Sequence, residues 1–293
     1  MISVTLSNRV VSIVYTISQE LSFSPVGVAC ANHNSKLLSY WYSVDAHERM
    51  RGCEGNANGT RLGYTDYFPQ CKRSDPQIEK CILSAVDGMR DKLRDGIPEV
   101  NAPALDPFNV PTLRLDRTAP NLKLKAVIKN MKAYGGKDFR IEKLKLNLDG
   151  KYLGEVKIVL PKLDITADYD VKGSRVLVLD IDGKGKMRAN FTGITVVAKG
   201  NAKPILKDGV QYLQADKVIT KVKIGHGQVA FDDVERPVAA TSAATFFNAS
   251  PNVVLDILNP LIEETGAAIL KAFLNKILGT VPINEILIDD SAQ

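Results

Sequence analysis

Histidine, tryptophan and late cysteines are what this chain most lacks. It has three His and one Trp in 293 residues, and aromatic residues make up only 6%. So few histidines leave little material for proton transfer near neutral pH. Two of them stand before residue 66, and the third, His226, sits between Gly225 and Gly227, where it reads as a loop residue and not as a base. No G-x-S-x-G elbow occurs, which argues against an α/β-hydrolase. "GKGK" at Gly183–Lys186 lacks the full spacing of a phosphate loop and reads as a hairpin turn. The acid pairs Asp180/Asp182 and Asp232/Asp233 read as solvated loop charges, not as a catalytic dyad. The expectation is a protein that is not an enzyme and needs no cofactor.

The four cysteines are Cys30, Cys53, Cys71 and Cys81, and none lies in the last 212 residues. No pair has zinc-knuckle spacing and no histidines complete a site, so no metal is expected. Cys71 and Cys81 enclose a short polar loop containing Pro76, which suits a local disulfide better than a metal. Closing so short a loop stabilises by roughly 2.5–3 kcal/mol in the loop-entropy model, and a stable disulfide implies an oxidising compartment. Long apolar runs are also missing, since none reaches the ~18–20 residues that span a bilayer. The N-terminus is a poor signal peptide. Its apolar stretch Val10–Ile17 is interrupted by hydroxyl residues and followed by Gln19 and Glu20, although "ACA" at Ala29–Ala31 has the form of a cleavage site.

What is present is aliphatic and patterned. Hydrophobic residues make up 45% and charged residues 24%, with a net charge of +5. The lysines are interleaved, as in "LKLKAVIKNMK" and "KLKLNL", and not gathered in a block. That is the wet face of a sheet rather than a nucleic-acid patch, and it keeps edges from pairing with other chains. Residues 1–66 show no lasting period and read as an extension, poorly ordered or not part of the mature protein. Residues 67–293 form the patterned domain. Asp75 reads as an N-cap with Pro76 at the first helical position and Glu79 in the first turn. An apolar stripe then runs Ile78, Cys81, Ile82, Ala85, Val86, Met89, Leu93 until Gly96. Five prolines in 97–121 predict an irregular connector. Period-2 strands follow around Leu122–Ile128, Leu144–Leu148 and Val156–Leu160. They resume after Pro161 through Tyr169, then at Val176–Ile181, Ile194–Ala198 and Tyr212–Ile224. From Pro251 to Leu278 the period becomes helical, with Pro260 expected to bend the helix. A long helix and a long sheet must each bury an apolar face. The fold expected is α+β: a long helix wrapped by a strongly curved antiparallel β-sheet.

Several segments resemble one family. "YFPQCKRSDPQIEKCILSAVDGMRDKLRDGIPEV" resembles the start of the mature domain of insect takeout and juvenile-hormone-binding proteins. In these, two cysteines framing a polar stretch precede a helix and a G-I-P turn. "PALDPFNVPTLRL" is similar to the family's next segment, at Leu105, Asp106 and Pro107. "VLDIDGKGKMRANFTGITV" resembles its Gly-rich hairpin, and "FFNASPNVVLDILNPLIEETGAAILKAFLNKILGTVPINEIL" its last helix and tail. The likeness covers about 67–289, with the Cys pair and "SDP" its most specific part. It departs from the family in having no Trp near the start of the last helix and in the unmatched extension.

The resemblance implies half of the tubular lipid-binding architecture, with an apolar tunnel for a terpenoid or other long lipid. It also implies secretion, and a Cys71–Cys81 disulfide near one tunnel mouth. The expected lining is Ile82, Val86 and Met89 near the disulfide, with Leu124, Leu146, Ile158, Ile257, Leu261 and Phe273 deeper in. The partner expected is a small hydrophobic ligand, with no nucleic acid, only transient membrane contact, and a monomeric state. The alternative is a peripheral protein of the same fold that works on lipid surfaces through its basic sheet. An esterase or epoxide hydrolase would need a nucleophile and base that the pattern does not supply. Sequons occur at Asn58, Asn190 and Asn248, of which Asn190 is the candidate for glycosylation.

Overall fold

Alternation of apolar and charged residues builds the sheet. In the computed structural model, Leu122, Ala126 and Ala133 of β3 (Leu122–Tyr134) are buried while Lys123, Lys125 and Lys129 face water. The structure describes residues 70–148, 150 and 152–288. The extension expected over 1–66, its boundary at 67, Cys30, Cys53 and Asn58 lie outside them. Seven antiparallel strands form the sheet, in the order β2 (Phe108–Ala119), β3, β5 (Leu153–Val176), β6 (Leu179–Lys207) and β7 (Val210–Lys223). β4 (Arg140–Asn147) pairs with β5, and β8 (His226–Asp232) with β6. β6 has 29 residues, which would extend roughly 95 Å if straight. A domain of this size cannot cover a flat strand of that length. The sheet therefore coils, with register shifts between Lys129 and Lys132, Val171 and Ser174, and Asn201 and Ala202 that sharpen its twist.

The last helix, α4 (Pro251–Leu278), has 28 residues and runs roughly 42 Å. One flank is tied to β7. Thr220 Oγ1 donates to the Glu263 carbonyl at 2.7 Å, Asn275 Oδ1 accepts from the Ala215 N–H at 2.7 Å, and Lys271 Nζ donates to the Asp216 carbonyl at 2.5 Å. On another flank, Arg117 near the end of β2 reaches both carboxylate oxygens of Glu264, at 2.6 and 2.9 Å. Because β2 and β7 stand at opposite ends of the strand order, α4 occupies the seam where the curled sheet brings its two edges together. The expected α+β arrangement is the observed one.

Packed clusters close both ends of α4. At its N-terminal end Val254 and Leu255 join Leu122, Val176, Ala189, Val229 and Phe247, the last from α3 (Pro237–Ala249). At the other end Met89, Leu93, Ile97, Val100, Ala102 and Val281 form one cluster. Cys71, Ile78, Leu213, Ile283 and Leu287 form a second. They draw on α1 (Ile78–Gly88), α2 (Arg90–Asp95) and the turn after it, Leu213 of β7, the short α5 (Ile283–Ile286), and β1 (Cys71–Lys72) paired in parallel with β9 (Leu287–Ile288). The Cys71–Cys81 disulfide, Cα–Cα 5.9 Å, joins β1 to α1.

The structure corrects several local readings. The first helix begins at Ile78, with Asp75 Oδ1 accepting from the Gln77 N–H one turn early, and it breaks at Met89 before ending at Gly96 as expected. The connector expected over 97–121 holds the 12-residue strand β2. Its Pro111 is tolerated because β2 lies at a sheet edge, where a missing N–H breaks no ladder. Pro161 does not divide β5 in two. β4 reaches only to Val159 and β3 begins only at Asp164, so the missing N–H falls where no second neighbour pairs. "GKGK" is not a turn. It lies inside β6, and the chain reverses at Leu177 and Val178. Gly183 and Gly185 serve close approach instead, since a Cβ on Gly183 would stand 2.5 Å from Asp233 Oδ2 and one on Gly185 would collide with the Asp232 carbonyl. His226 is the first residue of β8, not a loop residue. α3 was not expected at all.

Candidate functional site

Between the two packed ends lies an apolar stretch that is only half-buried. Strand register sets its inner face in three rows across β4, β5, β6 and β7. One row is Ile141, Ile158, Val196, Val222, the next Leu144, Val156, Ala198, Thr220, and the third Leu146, Gly154, Gly200, Val218. Thr220, bonded to α4, shows that this face looks toward the helix. Side chains shrink toward Ala198, Gly154 and Gly200; a Cβ on Gly200 would stand 2.6 Å from the Lys217 carbonyl and one on Gly154 would touch Leu146 at 3.6 Å, so the glycines serve close approach. On α4, Lys271 and Asn275 hold to β7. Phe273, two residues from each, points to the opposite side of the helix at 100° per residue. Ile269, Leu270, Phe273 and Leu274 are half-buried, as are Leu144, Leu146, Val156, Ile158 and Val196. Among the described residues, none of these nine belongs to a packed cluster.

The expected lining residues separate into groups. Leu146 and Ile158 share the inner face, and Phe273 lies on the helix side turned away from β7. Leu261 is buried on α4. Met89 is buried among Leu93, Ile97 and Val100, while Ile82 packs on the Cys71 cluster. Val86 is half-buried on α1. Leu124 and Ile257 pack on the cluster at the far end. Apolar patterning does not single out Gly154 and Gly200, although a glycine within a strand pattern is a signal for close approach.

Few charged groups enter this region. Lys276 follows Phe273 by one helical turn, is half-buried, and has no ion-pair partner among the described residues; burial pushes its pKa below the usual lysine value. Near the α3 end, Asp233 is buried, against the expectation of a solvated charge. Burial alone would raise its pKa. N–H groups of Arg236, Lys184 and Glu235 and the Tyr169 hydroxyl donate to it and hold it below the ordinary carboxylate range. Burial first, and then the Asp233 charge, push the Tyr169 pKa up to about 12. This network anchors the start of α3 and is structural.

Asn190 is half-buried on β6, and its amide donates to Asp164 Oδ1 at 2.5 Å. Asn248 is tied to both the N–H and the carbonyl of Val229, each at 2.9 Å. Among the described residues, no group of three or more His, Cys, Asp or Glu could hold a metal ion, and no helix is long and apolar enough to cross a membrane.

Comparison with known proteins fits this geometry. Residues 57–288 match the family model of haemolymph juvenile hormone binding protein. Over 237 residues the chain is 27% identical to the circadian clock-controlled protein daywake of Drosophila yakuba, covering 77% of this chain and 90% of the relative. The daywake protein of Drosophila melanogaster is 25% identical with the same coverage. The crystal structure of Epiphyas postvittana Takeout 1 superposes with a TM-score of 0.60 at 22% identity, covering 75% of this chain and 99% of that one, which is a likeness of fold. With a curled sheet seamed by a long helix and most of its length matched, the chain belongs to the haemolymph juvenile hormone binding protein family.

Proposed function

We propose that this protein is a secreted, monomeric carrier holding a small hydrophobic molecule, a terpenoid such as juvenile hormone or a fatty lipid, between the inner sheet face and α4. The observation that carries the reading is the apolar middle: nine half-buried side chains outside every packed cluster among the described residues. A core this aliphatic gains by closing, so walls that stay half-buried suit an exchangeable occupant. A ligand burying about 300 Å² of apolar surface gains roughly 7–8 kcal/mol before the costs of association. No covalent step is needed. The Cys71–Cys81 disulfide suits an oxidising compartment, in keeping with the family's haemolymph name.

The test joins native mass spectrometry of secreted protein with titration of a fluorescent fatty or terpenoid probe. Retained lipid or saturable one-to-one uptake, lost when Ile158→Trp fills the inner face, supports the carrier. Absence of both retained lipid and saturable uptake in folded protein removes it.

A further inference from the structure

The outer side of the same four strands carries a second feature. A groove of about 550 Å³, open to solvent, is lined chiefly by Lys145, Leu153, Glu155, Lys199, Lys217 and Ile219, and the row Leu146, Gly154, Gly200 passes between them as its floor. Strand alternation puts the lining side chains opposite the inner rows. Lys145, Glu155, Lys199 and Ile219 are register partners in one row, and Asn147, Leu153, Asn201 and Lys217 in the next.

Two properties set this groove apart from an ordinary wet sheet face. Its one carboxylate is outnumbered. Lys199 reaches Glu155 at 3.1 Å, and the charges of Lys145 and Lys143 act on it as well. The Lys199 hydrogen bond first, and then these charges, hold the Glu155 carboxyl below its ordinary range, and three lysines line the groove against this one acid. In addition, two large aliphatic side chains stand beside these lysines in water, Leu153 at 44% and Ile219 at 53% exposure. Lysines alone would be a solvated face. Lysines flanking exposed aliphatics match the boundary of a bilayer, where phosphates meet acyl chains. The groove offers no Trp, Tyr, Phe or Arg for stacking on bases or anchoring a protein hot spot.

We propose that this groove docks the protein on anionic phospholipid bilayers, with Lys145, Lys199 and Lys217 on head-group phosphates and Leu153 and Ile219 entering the interface.

The test is co-sedimentation of the full chain with vesicles of phosphatidylcholine alone or mixed with phosphatidylserine. The wild type sediments with the mixed vesicles only, and less as salt rises. Each lysine at an anionic surface contributes about fivefold in partitioning, so Lys145→Gln/Lys199→Gln/Lys217→Gln lowers binding roughly 100-fold. Lys123→Gln/Lys125→Gln/Lys172→Gln, the same charge change on exposed positions away from the groove, leaves it within about twofold. Leu153→Ser/Ile219→Ser, which keeps every charge, also weakens binding and guards against a misfolded triple variant. No sedimentation of the wild type, equal losses in both triple variants, or full competition by inorganic phosphate would each overturn the proposal. The last outcome would make the groove a simple anion site. Uptake of a hydrophobic probe, measured in parallel, separates failure here from failure of the carrier reading.

Discussion

Truncating Ile158 and Leu122 to alanine in delipidated protein distinguishes an open interior from a filled one. Each substitution removes three carbons, worth about 0.8 kcal/mol apiece when fully buried. Leu122 is 4% exposed and sits in the packed cluster beside Val176 and Val254. Its loss costs the full transfer of about 2.4 kcal/mol plus a cavity contribution, for roughly 3–4 kcal/mol in all. Ile158 is half-buried and belongs to no packed cluster among the described residues. Only about half the transfer value is lost, and on the carrier reading the vacated volume adds to the ligand's space, so the expected cost is roughly 1 kcal/mol. Urea unfolding followed by tryptophan-independent circular dichroism reads both numbers. Adding a bound ligand at about 100 times its Kd stabilises the wild type by roughly 2.7 kcal/mol, and Ile158→Ala by less. If Ile158→Ala costs as much as Leu122→Ala without ligand, the interior is packed solid and the transport argument collapses.

Other expectations follow from single contacts. The folded pKa of Tyr169, at about 12, lies above the ordinary tyrosine value; its contribution to stability is complete below about pH 10 and drains as pH climbs toward 12, and Tyr169→Phe should flatten that alkaline loss in pH-dependent unfolding. The Asp233 pKa is lowered, so its contribution is present above the ordinary carboxylate value of about 3.9 and lost as pH falls through the folded value; Asp233→Asn should remove that acid-side decline. The fold disfavours the charged form of Lys276, so Lys276→Met should raise the urea midpoint at neutral pH, with the difference shrinking as pH approaches 10.5. The Arg117–Glu264 pair across the seam is partly exposed, at 22% and 41%. A double-mutant cycle should therefore give no more than about 1 kcal/mol. Asn275→Leu strands the buried Ala215 N–H and should cost roughly 1–3 kcal/mol in thermal or urea unfolding.

Periodicity alone determined the elements whose environment is uniform along their length. The bounds Pro251–Leu278 of α4 and the alternation of β3 and β7 were legible because each rests on side chains three, four or two residues apart, and the stop at Gly96 because its φ of 89° suits glycine. The curved sheet followed from a long helix and a long sheet that must each bury an apolar face, the disulfide from two cysteines around a short polar loop, and the family likeness added to both. Tertiary structure alone decided the rest. Pro161 and "GKGK" read locally as breaks, yet both lie inside long strands. Whether a missing N–H or a missing Cβ interrupts a strand depends on what stands across from it, and β3, β4 and Asp233 are distant in the chain. Nothing periodic marked α3, since its uncharged, weakly amphipathic residues form a helix where they pack on β8 and where Asp233 holds the Glu235 and Arg236 N–H groups just before it. The residues expected to line a tunnel divide the same way in their packing. Met89, Leu124 and Ile158 are alike as apolar residues on apolar faces, but the first two pack into the closed ends and the third faces the middle. That difference depends on which residues the 29-residue strand and the ties of the helix to β7 and β2 bring together, and no local pattern records it.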